Sequence, residues 1–276
     1  MAKKTISSYF AQALIFIACF LALFPILWML LIAVKPVTES FGTIREILPS
    51  RIAFENFYQV SLLMPIWQNF LNSVIVSLSG TILTVFFCSL AGFAFAKYKF
   101  PGRDFLFIFL IATMMVPPET NVIPVFLIMR QLGWINKLIS LIIPRAATAV
   151  GIFYMRQYIL SFPDSLMEQS RIDGCSEFRI YWNMVLPVIS PALAAWASIG
   201  LIARWNELLW PLLFMRTPEK FTLMVSLSQL PVSEGLSTPW PVIMAGATIA
   251  VLPLVILYFI LQKFQVADLT AGATKG

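Results

Sequence analysis

The sequence predicts an all-α fold, a polytopic membrane protein with six transmembrane helices, and three observations predict it. Hydrophobic side chains make up 59% of the 276 residues and charged ones only 12%, a balance far too apolar for a soluble domain. Charge-free stretches run over residues 5–34, 56–96, 180–203 and 235–262, and each holds the roughly 20 residues that a helix needs to cross a hydrocarbon core. Histidine is absent, which removes Ser-His catalysis, histidine zinc sites and histidine proton shuttles.

In chain order, the spans are expected at about 11–34, 70–96, 105–129, 138–159, 190–214 and 241–262, within one transmembrane domain over 1–276. The first follows Met1-Ala2-Lys3-Lys4, is too long for a signal-peptide core and shows no small-residue cleavage site, so it is expected to be retained. Val116-Pro117-Pro118-Glu119 interrupts the third span and Arg204-Trp205-Asn206-Glu207 the fifth. Proline inside a helix removes a backbone donor, which membrane helices tolerate where neighbours or water satisfy the freed carbonyl. Such breaks fit plain kinks and a translocation path equally well.

Orientation follows the basic residues. With the N-terminus inside, inner segments carry ten (Lys3, Lys4, Lys97, Lys99, Arg103, Arg156, Arg171, Arg179, Lys263, Lys275). Outer segments carry seven: Lys35, Arg45, Arg51, Arg130, Lys137, Arg216 and Lys220. That bias is small, and the short basic connection 97–103 is the strongest local vote for the inner side. Both termini are then cytoplasmic, and the outer segments 35–69 and 216–240 are long enough to meet a soluble partner.

The connection between the fourth and fifth spans gathers Glu168, Arg171, Asp173, Glu177 and Arg179 between two apolar stretches. Pro163 ends the preceding helix, and Ser165-Leu166-Met167-Glu168 has the form of a capping box. A short helix over about 165–173 would stop at Gly174, the residue best able to adopt a left-handed cap. A second, over about 176–186, would halt at Pro187. Two brief helices at a glycine elbow make a knob able to transmit a rigid push. An amphipathic loop lying on lipid headgroups fits the same spacing.

No catalytic or metal chemistry stands out. Cys19, Cys88 and Cys175 lack metal-ligand spacing, and no GxxxxGK[ST] loop occurs to hold a nucleotide phosphate. The net charge of +6 is dispersed, which suits a lipid bilayer rather than nucleic acid. An ATP-independent secondary transporter or channel would carry paired broken helices in two repeated halves, and the halves show no convincing repeat. An intramembrane enzyme lacks an obvious catalytic group.

Five motifs in order resemble the carbohydrate permeases of bacterial ABC importers, specifically their maltose-type second permease subunit. They are Phe100-Pro101-Gly102-Arg103, Ser161-Phe162-Pro163-Asp164-Ser165-Leu166, the spacing from Glu168 through Gly174 to Leu186-Pro187, the run Trp205 to Leu213, and Asp268 to Gly276. The resemblance covers nearly the whole chain. It implies that the loop 161–190 is the cytoplasmic coupling (EAA) loop, with Glu168, Asp173, Gly174, Leu186 and Pro187 coupling to an ATPase. Here the family's Glu-Ala-Ala reads Glu168-Gln169-Ser170, and Met184 stands at its hydrophobic position before Leu186-Pro187. It further implies a homologous permease partner, two ATPase subunits holding ATP and magnesium, and an external solute-binding protein. This chain would carry no cofactor, and it would sit in the bacterial inner membrane.

Polar side chains inside spans cost roughly 2.5–3.5 kcal/mol for a central charge, so they are functional candidates by default. Here they are Glu119, Arg145, Arg204, Asn206 and Glu207. The resembled family does not usually carry arginine where Arg145 and Arg204 stand. Two cations near a path would suit an anionic solute such as a uronate oligosaccharide or a sugar phosphate. Alternatively Arg204 neutralises Glu207 three positions on and Arg145 pairs with Glu119, leaving a neutral sugar to tryptophan, tyrosine and asparagine surfaces.

Overall fold

The computed structural model describes residues 6–39, 48–230, 232–233, 236–237 and 239–273. Lys3, Lys4, Arg45, Lys275 and the last three positions of the terminal motif lie outside the described residues. The chain groups into two compact units, residues 1–66 with 226–253 and residues 67–225 with 254–276.

The first unit opens with α1 (Ile6–Ala33), which presents Phe16, Leu21 and Phe24 outward at 74, 65 and 48% exposure. Apolar side chains turned away from the protein are what lipid-facing positions require. The end of α1 is tied off by α2 (Glu55–Leu63), an element the sequence reading left as an outer segment. Asn56, buried, donates from Nδ2 to the carbonyls of Ala33 and Lys35, both at 2.8 Å, satisfying groups that a helix C-terminus leaves orphaned.

The second unit contains α3 (Ile66–Lys97), α4 (Arg103–Thr113) and α5 (Val122–Gln131), the last two joined through a 3-10 turn at Pro118–Asn121. α4 and the Pro118–Gln131 segment are bent by 92°, so the expected interruption at Pro117-Pro118 is a full break. α6 (Ile139–Ile142) runs into a 3-10 turn at Ile143–Arg145 and then into α7 (Ala149–Leu160) at 46°. The fourth span was expected to be continuous. Pro144, which has no N–H to give the ladder, stands at the start of the break.

Next come α8 (Asp164–Ile172), α9 (Glu177–Ile180), a π turn at Tyr181–Val185, and α10 (Leu186–Val188). α11 (Ser190–Trp205) and α12 (Leu209–Phe214) lie where the fifth span was expected, with a break at Asn206–Leu208 near where the sequence placed it. The remaining elements are α13 (Leu223–Gln229), a two-residue antiparallel ladder of β1 (Val232–Ser233) with β2 (Leu236–Ser237), and α14 (Trp240–Ala273). Among the described residues, three helices are long and apolar enough to cross a membrane, and counting each of three bent pairs as one span brings the number by length and composition to as many as six. The protein is a polytopic helical membrane protein.

Candidate functional site

The charged loop folds as the knob its composition suggested, by partly different means. α8 starts at Asp164 behind Pro163 with no side-chain cap, so the Ser165–Glu168 capping box does not form. Proline at the boundary starts the helix two residues earlier than that box would allow. At the other end Gly174 takes φ 80°. Its N–H donates to Arg171 O and that of Cys175 to Ser170 O, both 3.0 Å. This pair of bonds is a Schellman closure, which needs the left-handed residue glycine supplies.

Ser176 then caps α9, its hydroxyl accepting from Arg179 N at 3.4 Å. Pro187 does not stop this segment as expected. It lies in the first turn of α10, where a missing N–H costs nothing, and the chain turns at Ile189 by 78° into α11. The irregular backbone is the π turn ahead of it, one residue of extra slack that absorbs the proline.

The knob is wedged against α3 and α7 within the second unit. Met167, Ile180, Tyr181, Val185 and Ile189 are buried with Phe93 of α3 and Met155 and Ile159 of α7. Tyr181 Oη and Ser89 Oγ, both buried, are 2.8 Å apart. Lys97 Nζ, at the end of α3, donates to Phe162 O at 2.5 Å and to Asp164 Oδ1 at 2.7 Å. Glu177 accepts from Arg171 Nε at 2.7 Å and from the Tyr98 hydroxyl. Hydrogen bonds from Arg171 and Tyr98 hold the Glu177 carboxyl below the ordinary carboxylate range. Burial and the Glu177 carboxylate push the Tyr98 phenol up to about 12.

Glu168 and Asp173 are exposed on α8 and its C-cap, and Ile172 between them is 86% exposed. Leu186 is half-buried and Pro187 exposed.

The candidates inside the spans divide into three groups. Arg204, 7% exposed, donates from Nη2 to Thr84 Oγ1 at 2.7 Å and Arg145 O at 2.6 Å, and from Nη1 to Leu141 O at 3.3 Å. Two of these acceptors are backbone carbonyls at the break in the fourth span, where the helix no longer supplies donors. The guanidinium lies flat on Gly80 of α3, where an added Cβ would come within 2.6 Å of Nη1. Arg204 therefore does not neutralise Glu207.

Glu207 instead accepts from Arg145 Nη1 at 2.5 Å, and Arg145 does not pair with Glu119. Each break thus sends an arginine to the other: Arg204 to the carbonyls of the fourth span, Arg145 to the carboxylate of the fifth. Glu119 is exposed on the 3-10 turn Pro118–Asn121 and Asn206 is the exposed C-cap of α11, so neither joins this stitch.

With this geometry in place, the chain can be compared with known proteins. The family described as binding-protein-dependent transport system inner membrane component matches residues 88–270, a segment that includes the knob and both stitched breaks. The chain belongs to this family. The arabinooligosaccharides transport system permease protein of Halalkalibacterium halodurans is 35% identical over 260 residues, 93% of this chain and 92% of that protein. The lactose transport system permease protein of Rhizobium radiobacter is 30% identical over 256 residues, 90% of this chain and 89% of that one. Among solved structures, a bacterial ABC transporter involved in the import of the acidic polysaccharide alginate superposes with a TM-score of 0.84 at 25% identity, covering 95% of this chain and 98% of that chain.

The importer component is therefore a transport subunit whose knob and breaks sit in a fold shared along nearly its whole length. Sequence reading missed the Tyr98–Glu177–Arg171 cluster and the Gly80–Thr84 seat of Arg204. The second left a trace, since Gly80 and Thr84 are four apart and share one helix face.

Proposed function

We propose that this protein is the transmembrane subunit of an ATP-binding-cassette importer that moves a sugar or oligosaccharide into the cytoplasm. ATP is hydrolysed on partner subunits, which hold the nucleotide and its magnesium, and this chain needs no cofactor of its own. The single transmembrane domain pairs with a homologous permease, receives solute from an external binding protein, and lies in the bacterial inner membrane with both termini cytoplasmic.

The braced knob carries this reading. Closed by a Schellman bond pair, salt-bridged to the end of α3 and packed into the second unit, it cannot absorb a push by bending. Glu168, Ile172 and Asp173 remain exposed on it to receive that push from an ATPase surface. The sugar permeases among its relatives support a carbohydrate as the solute.

The test is purification of the chain from its native membrane followed by reconstitution. An ATPase polypeptide should travel with it, and sugar uptake should require ATP. Uptake driven by an ion gradient alone, with no ATPase present, would establish a secondary transporter instead.

A further inference from the structure

We propose that Ser140, Arg145, Glu207 and Trp210 form a solute-contact site on this subunit that takes two neighbouring hydroxyls of a neutral sugar. The proposal rests on the carbohydrate reading above and answers a separate question, whether this chain only shapes the path or also recognises what passes.

The two arginines have opposite circumstances. Arg204 is buried and its guanidinium is spent on three protein oxygens, so it has no face for a solute. Arg145 keeps 38% and Glu207 22% of its side chain exposed, and their bridge engages one nitrogen and one oxygen. Among the described residues nothing else bonds the other guanidinium N–H groups or Glu207 Oε1. Spare donors and a spare acceptor side by side match a hydroxyl pair, because each hydroxyl both donates and accepts.

Arg145 and Trp210 border two recesses, a minute one of about 10 Å³ shared with Glu207 and Arg204 and a larger one beside it. The larger cavity, of about 80 Å³, is lined by Ser140, Arg145 and Trp210, with Leu141, Pro144 and Phe214 as apolar wall. A water-sized group needs about 10–15 Å³ of such space, so the cavity admits the hydroxylated edge of a sugar ring. Ser140 Oγ already donates to Lys137 O at 2.8 Å, leaving its oxygen as an acceptor. The half-buried Trp210 lines the same cavity and packs against Phe214 with ring centroids 5.6 Å apart, an aromatic wall for the C–H side of a sugar ring. Few polar groups converging in an apolar recess is the ordinary make-up of a small-molecule site.

The spare acceptor decides the class. Glu207 Oε1 needs a donor, which a hydroxyl carries and an ionised carboxylate or phosphate lacks, and the second guanidinium nearby, that of Arg204, already donates to three protein oxygens. The site therefore favours neutral hydroxyls over an anion, which runs against an anionic solute drawn in by Arg145 and Arg204 together.

The experiment uses the assembled importer in proteoliposomes and measures uptake of three probes: a neutral arabino-oligosaccharide, lactose and an alginate trisaccharide. For whichever probe is carried, its deoxy analogues follow, in wild type and in Arg145→Ala and Glu207→Gln. The solute-binding protein discriminates equally in every variant, so its contribution cancels in the ratio of ratios. A neutral sugar should be carried, with loss of the recognised hydroxyl slowing wild type about tenfold and each variant less than about twofold. Equal discrimination in wild type and both variants would overturn the site. So would transport confined to the uronate and accelerated by Glu207→Gln. Inactivity of the wild type toward every sugar would remove the carbohydrate reading itself, a failure told apart because it precedes any variant. Glu207→Gln keeps the side chain's size, so assembly with the ATPase is expected in that variant even if Arg145→Ala assembles poorly.

Discussion

Replacing Arg204 by methionine tests whether its guanidinium is a fastener or a solute ligand. The side chain donates three hydrogen bonds, to Thr84 Oγ1, Arg145 O and Leu141 O at 2.7, 2.6 and 3.3 Å. Interhelical bonds inside membranes contribute roughly 0.6–2 kcal/mol each. Arg145 O keeps a share of the single Thr84 hydroxyl proton, which lies within reach of Gly80 O at 2.8 Å and Arg145 O at 2.9 Å, so the loss falls short of the full sum. Arg204→Met should then destabilise the chain by about 2–4 kcal/mol. Arg145→Ala removes only a half-exposed ion pair and should cost about 1 kcal/mol or less. Gly80→Val should approach the Arg204 variant in severity, since its Cβ would sit 2.6 Å from Arg204 Nη1. Graded SDS unfolding of the purified chain in mixed micelles reads all three. The reasoning fails if Arg204→Met unfolds within about 0.5 kcal/mol of wild type, or if Arg145→Ala proves the more damaging change.

Two further outcomes follow from the knob. Ser176→Cys, exposed at the start of α9, should resist an impermeant thiol reagent in intact cells and react once the membrane is opened; strong labelling of intact cells would reverse the proposed orientation. The Glu177 carboxyl is held below its ordinary range by Arg171 and Tyr98, so its contribution is fully present above that range and is lost as pH falls through the lowered value. Hydrogen-exchange protection over residues 164–177 should accordingly hold from neutral pH to the ordinary carboxylate range and then fall progressively through the lowered value, and Glu177→Gln should shrink that acid step, leaving the part due to the Asp164–Lys97 pair, while neutral-pH protection is weaker than in wild type.

Much of this architecture is legible in the sequence because membrane helices are written in long apolar runs. The spans near 70–96 and 241–262 needed nothing beyond apolar length, and the helices Ile66–Lys97 and Trp240–Ala273 contain them. The breaks at Pro117-Pro118 and after Arg204 were readable because proline and charge are conspicuous in such runs. The break after Arg145 was not, since one proline in a span is compatible with a mild kink, and the donor that satisfies the freed Arg145 carbonyl is an arginine 59 residues away. The same distance hid the true partners of Arg145 and Arg204. Local spacing favoured the three-apart pair Arg204–Glu207, and tertiary packing on Gly80 pulled Arg204 the other way. In the knob, Gly174 was predictable from backbone sterics alone, whereas the capping box lost to the stronger boundary set by Pro163.

The most direct measurement of the central claim concerns Gly174. No neighbouring atom lies within 4 Å of an added Cβ there, so Gly174→Val introduces no clash. It strains a backbone held at φ 80°, at a cost of about 1–3 kcal/mol for a β-branched residue. That strain should reopen the Schellman closure and release the knob while leaving the spans folded. The importer, assembled with its ATPase and binding protein in proteoliposomes, is assayed for ATP hydrolysis and sugar uptake in the same samples. Wild type should couple the two, and Gly174→Val should keep basal hydrolysis while losing uptake at least about tenfold. Wild-type uptake and solute-stimulated hydrolysis in Gly174→Val would contradict the account.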